Sequence, residues 1–175
     1  MRLRKSISSD IGKVFAMHRS VIGLNGTAWN ENYPAYENVV TDHETGNLYI
    51  LENDSGEIIG SCAIETDNEF EDFHGWRTDD ASYQEISRVI VPPEHQGHGY
   101  AKEMVRLLMD ELARSGCTSV RLFAAKTNLA ACRTYQALGF ETVGEYSAYG
   151  NDFYAMEHII KEDTNGKDIS AFQLK

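Results

Sequence analysis

Residues 83–101 set the tightest limit on what this chain can become. Tyr83–Val91 (YQEISRVIV) is rich in strand-forming residues and stops at Pro92-Pro93, which cannot donate to a β-ladder. The turn that follows holds Gly97 and Gly99. From Gly97 to Ser115 the residues Ala101, Met104, Val105, Leu107, Leu108, Leu112 and Ala113 fall on one broad helical face, and Gly116 ends it. A strand, a glycine-spaced turn and a helix in direct succession leave unpaired amide N–H groups at the helix start, at the positive end of its macrodipole. Glycine lets an anion reach that backbone with no Cβ in the way, so the junction reads as a phosphate or pyrophosphate site. His95, His98, Lys102 and Arg106 could add charge, and a glycine turn that merely opens a helix is the alternative.

Local amides matter here because the chain as a whole is acidic. Its 175 residues carry 16 Lys and Arg against 27 Asp and Glu, a formal charge of −11. Such a surface repels nucleic acid and anionic membranes, so neither is expected as a partner. No apolar run approaches the ~20 residues of a membrane helix, and MRLRKSISSD lacks the apolar stretch of a secretory signal. Cys62, Cys117 and Cys132 are odd in number and form no CxxC pair, which argues against a disulfide framework or zinc knuckle. A cytoplasmic location is the expectation.

Around the junction the periodicities order the remaining elements. Residues 9–24 predict a helix with Ser9 or Asp10 as its cap, and Val39–His43 a short second one. Leu48–Leu51 and Ile58–Ile64 read as a hairpin over Asn53-Asp54-Ser55-Gly56. The connector 65–82 holds Glu65, Asp67, Glu69, Glu71, Asp72, Asp79 and Asp80 but only Arg77 as a strong base; its Phe70, Phe73 and Trp76 suggest that it covers something. Val120–Ala124 predicts a buried strand, Asn128–Leu138 a helix stopped by Gly139, and Phe140–Tyr146 with Phe153–Ile160 a terminal hairpin. The order β-β-β-α-β-α-β-β behind an N-terminal helical region predicts one α+β domain over residues 1–160, with 161–175 as a C-terminal tail.

Nucleotide motifs fail by spacing. Nothing matches the Walker pattern, and Lys102 stands where the last glycine of GxGxxG belongs. Gln96-Gly97-His98-Gly99-Tyr100-Ala101 instead matches (Gln/Arg)-x-x-Gly-x-(Gly/Ala), the acyl-CoA signature of the GNAT N-acetyltransferases. The strand ending in Val-x-Val-Pro, the strand Val120–Ala124, and Asn128 to Tyr135 followed by Leu138-Gly139-Phe140 resemble that superfamily too, in order and spacing over roughly residues 45–160. Trp29-Asn30 and Tyr33-Pro34 resemble the acceptor segment of some bacterial members.

The resemblance implies a mixed, mostly antiparallel sheet flanked by helices, whose fourth and fifth strands splay so that acetyl-CoA inserts between them. Pantetheine would pair with the backbone of Val89, Ile90 and Val91, and pyrophosphate would sit on the amides of Gln96 to Ala101; with no side chain standing out for the oxyanion, the amide of Val89 or a neighbour is the candidate. It also implies Glu85 as general base, on the face shared by Ser87, Val89 and Val91, and Tyr135 as the group that meets the departing thiolate. A solvent-facing glutamate and a packed tyrosine are the plainer alternatives. Asn128 could cap its helix as well as touch the cofactor.

Trp29, Tyr33, Phe73, Trp76, Tyr146 and Tyr149, with acids of the connector, are the candidates for an acceptor pocket that takes an ammonium. Glu94, His95 and His98 lack a third ligand at a familiar spacing, so no metal is expected, and Cys132 reads as a core thiol. The expected activity is acetyl transfer from acetyl-CoA to a primary amine, a small molecule first and a peptide or protein second. A catalytically silent acyl-CoA sensor and a nucleotide-binding module are the competing classes. Sheet edges of this kind could support a homodimer.

Overall fold

The computed structural model describes residues 1–65, 70, 72–78 and 82–160. The expected tail 161–175 and the acids Asp67, Glu69, Glu71, Asp79 and Asp80 lie outside the described residues. Strands β1 (Arg2–Lys5), β2 (Leu48–Glu52), β3 (Ile58–Ile64), β4 (Tyr83–Ile90), β5 (Ser119–Ala125), β6 (Glu141–Ala148) and β7 (Asn151–Ile159) form one seven-stranded sheet in the order β1-β2-β3-β4-β5-β7-β6. Helices α1 (Ile11–Ser20) and α2 (Tyr36–Glu44) follow β1, α3 (Tyr100–Arg114) links β4 to β5, and α4 (Leu129–Ala137) links β5 to β6. The α+β class and the terminal hairpin expected from the pattern are both present.

Strand β1 is a correction to the expected order. Its residues, RLRK, carry no apolar alternation, and it is held by pairing: Arg2 opposite Glu52 and Lys5 opposite Tyr49. Cross-strand contacts supply what the sequence pattern lacks, with Arg4 bonded to Glu52 at 2.6 Å and Lys5 Nζ 3.6 Å over the Tyr49 ring. Helix α1 is also shorter than the 9–24 expected. Asp10 stands at its N-cap position as expected but makes no side-chain cap bond; its carboxylate accepts the Ile7 amide at 2.9 Å across the preceding 3-10 turn.

The sheet separates two apolar clusters. Tyr49, Leu51, Cys62 and Ile64 face α3 and α4 with Ile86 and Val91, while Leu48, Ile50 and Ile90 face α1 and α2 with Val14, Met17, Val21 and Val39. That Ile86 and Ile90 lie on opposite faces breaks the strand's period of two. The cause is a bulge. Ala63 pairs with Ser87 but Ser61 with Ile90, so β4 holds one residue more than β3, and Arg88 takes up the slack at φ +47°. The expected common face of Glu85, Ser87, Val89 and Val91 is therefore wrong beyond the bulge. Glu85 and Ser87 face the α1–α2 side, and Val89 and Val91 pack toward α3.

Strands β4 and β5 are parallel neighbours only from Tyr83 opposite Ser119 to Glu85 opposite Arg121. Beyond these pairs they diverge, as the resemblance implied. The closed end is zipped by a buried network: the Arg121 guanidinium lies 3.9 Å from the Tyr83 ring, and Glu157 of β7 accepts Ser119 Oγ at 2.6 Å, Arg121 Nε at 3.2 Å and Thr78 Oγ1 at 2.8 Å. Burial alone would raise the Glu157 pKa, yet these donors and the Arg77 amide hold it below its usual value, so the carboxylate stays charged.

Candidate active site

A cleft of about 840 Å³ opens where β4 and β5 part. Its floor is the unpaired edge of β4 from Ile86 to Val91 and the ends of β5 and α4, through Ala124, Asn128, Ala131 and Tyr135. Beyond Glu85 the β4 backbone is bonded to β3 on one side and, among the described residues, pairs with no strand on the other, which offers a ladder edge to an extended ligand.

At one mouth of the cleft lies the glycine turn. Gly97 and Gly99 adopt φ +80° and +79°, and a Cβ built on either meets nothing within 4 Å. Their conformation, not crowding, calls for glycine, and the side a ligand would approach is open. Helix α3 begins only at Tyr100, and its first bond of this kind is Glu103 N–H to Gly99 O at 3.1 Å. The amides of Gly97, His98, Gly99, Tyr100, Ala101 and Lys102 have no main-chain acceptor among the described residues. The Gln96 amide is already bonded to Pro93 O at 3.2 Å, so the available run begins one residue later than expected.

The side chain of Gln96 has a structural task. Its Nε2 donates to Val91 O at 2.9 Å, and its Oε1 accepts Asn25 Nδ2 at 2.8 Å, fastening strand end, turn and α1–α2 loop together. The same loop reaches the opposite bank. Thr127 Oγ1 donates to Gly26 O at 2.6 Å, and Gly26, at φ +71°, lies so close that a Cβ would stand 2.1 Å from Thr127 O.

Of the expected charged helpers, Lys102 and His95 line the cleft. Arg106 does not take part: Glu103 at 2.8 Å and Asp110 at 2.6 Å occupy it along α3. His98 stacks on Tyr100 at 5.5 Å and is absent from the cleft wall. Asn128 caps α4, its Oδ1 accepting the Ala131 amide at 3.1 Å, while its side also borders the cleft. Tyr135 is 8% exposed, and burial, with Cys62 and Cys132 beside it, pushes its phenol above the ordinary value, so it is protonated throughout the neutral range.

The other half of the cleft brings together Trp29, Tyr33, Glu65, Phe70, Glu85 and Tyr149. Trp76, expected here, is elsewhere. Together with Phe73 and Phe70 it packs on Phe123 at 5.3, 5.6 and 4.5 Å, and Arg121 lies 4.9 Å from its ring. Phe73 and Tyr146 likewise lie outside the cleft wall. What the aromatic connector covers is the exposed face of β5.

The residue that sequence reasoning missed is Arg88. Its side chain is 5% exposed, and it sits at the bulge and ties this half of the cleft to α2. Nε and Nη2 grip Asp42 of α2 at 2.8 and 2.7 Å, and Nη1 reaches Glu65 at 2.7 Å and Tyr33 Oη at 3.2 Å. Burial would lower its pKa, but the hydrogen bonds to Asp42 and the nearby Tyr33 and Glu65 raise it, so the guanidinium is permanently charged. The available signal was an arginine between Ile86 and Ile90, at a position where simple alternation calls for a third apolar residue.

The comparisons with known proteins agree with this geometry. The L-methionine sulfoximine/L-methionine sulfone acetyltransferase of Salmonella typhimurium is 22% identical over 157 residues, 87% of each chain. A mycothiol acetyltransferase of Kytococcus sedentarius is 34% identical over 84 residues, which make up 48% of this chain and 28% of that protein. The chain thus spans under a third of that relative's length. Among solved structures, a putative acetyltransferase of Salmonella typhimurium determined with its cofactor acetyl-CoA shares the fold at a TM-score of 0.71 and 22% identity, over 93% of this chain and 95% of that one. The family model described as acetyltransferase (GNAT) family matches residues 19–140, well over half of the sequence. With its splayed β4 and β5, its glycine turn and that match, the chain belongs to the GNAT acetyltransferase family.

Proposed function

We propose that the protein moves an acetyl group from acetyl-CoA directly to a primary amine in a ternary complex, the acceptor being a small molecule. The observation that carries this reading is the unpaired β4 edge leading straight into open main-chain donors from Gly97 to Lys102. Pantetheine would bond along Val89 to Val91, and the pyrophosphate would rest on the turn amides with Lys102 nearby. The relatives named L-methionine sulfoximine/L-methionine sulfone acetyltransferase, of Salmonella typhimurium, and L-amino acid N-acyltransferase, of Escherichia coli, support the choice of acceptor size.

The reaction then divides between the two banks. An alkylamine with a pKa near ~10.4 is mostly protonated at neutral pH and must lose a proton before it attacks. Glu85, on the acceptor wall, takes that proton through a water. The amine nitrogen bonds to the thioester carbon, the Val89 amide meets the developing oxyanion, and the C–S bond breaks as the carbonyl reforms and the nitrogen's second proton passes to the leaving sulfur. Tyr135, protonated by virtue of burial, donates a hydrogen bond to the leaving sulfur. No metal is needed for any of these steps.

The test is thiol release from acetyl-CoA with a panel of small amines and peptides, alongside calorimetric acetyl-CoA binding. Turnover on a small amine above that on peptides is the expected result. Tight binding without turnover on any amine would replace the enzyme with a sensor, and faster turnover on peptide N-termini would replace the acceptor class.

A further inference from the structure

The charge around Arg88 bears on which amines the cleft accepts. Four of its five N–H groups are already used, three by the carboxylates of Asp42 and Glu65 and one shared with Tyr33 Oη. Asp42 holds it from behind, whereas Glu65 and Tyr33 stand with it in the cleft wall. The cluster of one arginine and two carboxylates carries a net negative charge, and Glu85 adds another acid to the same wall. Lys102 and His95, the other basic residues on the cleft wall, belong to the turn end. The connector 65–82 contains a single strong base in its sequence, Arg77, and that side chain is paired with Glu141 at 2.7 Å.

We infer that the acceptor is an amine without a neighbouring carboxylate, and that the Glu65–Arg88 pair enforces this by covering the guanidinium on that wall that could bind an α-amino acid. In an α-amino acid the carboxylate hangs on the carbon that bears the amine, so it must enter the same wall as the reacting nitrogen. There it meets Glu65 and Glu85 with no uncommitted guanidinium to answer it. At the low effective dielectric of a half-buried site that repulsion is strong, and an unpaired carboxylate loses its hydration as well. A plain amine or diamine meets acids and the ring faces of Trp29, Tyr33 and Phe70. This inference rests on the acyltransferase reading of the cleft.

The experiment compares amino acids with their decarboxylated partners: L-lysine with 1,5-diaminopentane, L-phenylalanine with phenethylamine, L-methionine with 3-(methylthio)propylamine. Thiol release should give the amine at least tenfold higher kcat/KM in every pair. Glu65→Gln keeps the shape, leaves Asp42 to neutralise Arg88, and removes one negative charge from the cleft wall, since its amide oxygen can still accept from Nη1. It should narrow each ratio at least tenfold by raising kcat/KM for the amino acid, a gain that damage to the fold does not produce. Glu65→Asp, which withdraws the carboxylate by one methylene, is the variant to use if Glu65→Gln does not fold.

Amino acids matching or exceeding their amines in the wild type overturns the inference. A wild-type preference that neither variant narrows removes the Glu65–Arg88 pair as its cause, which overturns the mechanism stated. Calorimetric binding of each pair to the CoA complex separates the two readings: a preference for amines without turnover upholds the specificity while discarding the acyltransferase.

Discussion

The two halves of the cleft are built from different materials. The half proposed to hold the cofactor is main chain: an unpaired strand edge, open amides and two glycines whose side-chain positions face empty space. The half proposed to hold the acceptor is side chain, a buried ion cluster drawn from residues 33, 42, 65 and 88 and faced with aromatic rings. A ligand bound through amides makes few demands on nearby side chains. A pocket bound through charge depends on every member, because each buried ion is neutral only in company.

That contrast is sharpened most by Asp42→Ala. Removing one partner of the buried pair leaves Arg88 under-compensated at a site where Asp42 is 3% and Arg88 5% exposed by side chain, and breaking such a pair costs ~3–5 kcal/mol. Urea unfolding should show this loss while calorimetric acetyl-CoA affinity changes less than about threefold (~0.7 kcal/mol). A comparable fall in affinity would mean that the halves are not independent.

Next in size is Tyr135→Phe, which keeps the packing against Phe140 (5.9 Å between rings) and removes only the hydroxyl. Loss of a proton-handling group costs ~100-fold in kcat, and acetyl-CoA affinity should barely move. Wild-type turnover across the pH range would remove Tyr135 from the mechanism. Gly99→Val attacks the cofactor half itself. A β-branched residue is strained at φ +79°, and its Cβ would project into the open space at the turn. Acetyl-CoA affinity should fall ~30-fold, about 2 kcal/mol, with the unfolding midpoint lowered far less than in Asp42→Ala. Unchanged affinity would end the assignment of pyrophosphate to this turn.

The effect that is smallest at neutral pH and grows only in acid concerns His18 on α1, 1% exposed, with neither ring nitrogen partnered among the described residues. Burial, with Arg88 and Arg19 nearby, pushes its pKa down to about 3 from an ordinary 6.5. The unfolded chain therefore binds the proton first. Stability is full above pH ~6.5 and falls as pH drops toward 3, by at most ~1.4 kcal/mol per pH unit from this group. Unfolding titrations of wild type and His18→Phe should differ in slope over that window; parallel curves would show that His18 takes up its proton in the native state.

The pattern of what was legible follows the same division. The turn and α3 stand out because glycine spacing and helical periodicity are local, and β3 runs over Ile58–Ile64 as its composition indicates. Strand β1 was hidden because RLRK has no alternation, and only pairing with β2 makes it a strand. Trp76 was misplaced because an aromatic in an acidic loop looks the same whether it lines a pocket or covers Phe123. Glu85 borders the cleft, but the strand's faces could not be read beyond Ser87, since the extra residue at Arg88 inverts the alternation.

By itself the sequence determined the strand–turn–helix order, the glycines and the resemblance they carry, all of them set by neighbours within a few positions along the chain. Tertiary structure alone decided that Arg88 meets Asp42, Glu65 and Tyr33, and thereby the charge on that wall of the cleft. The physical reason is range. Backbone conformation answers to adjacent residues, whereas the neutralisation of a buried ion depends on groups far apart in sequence that only folding brings into contact.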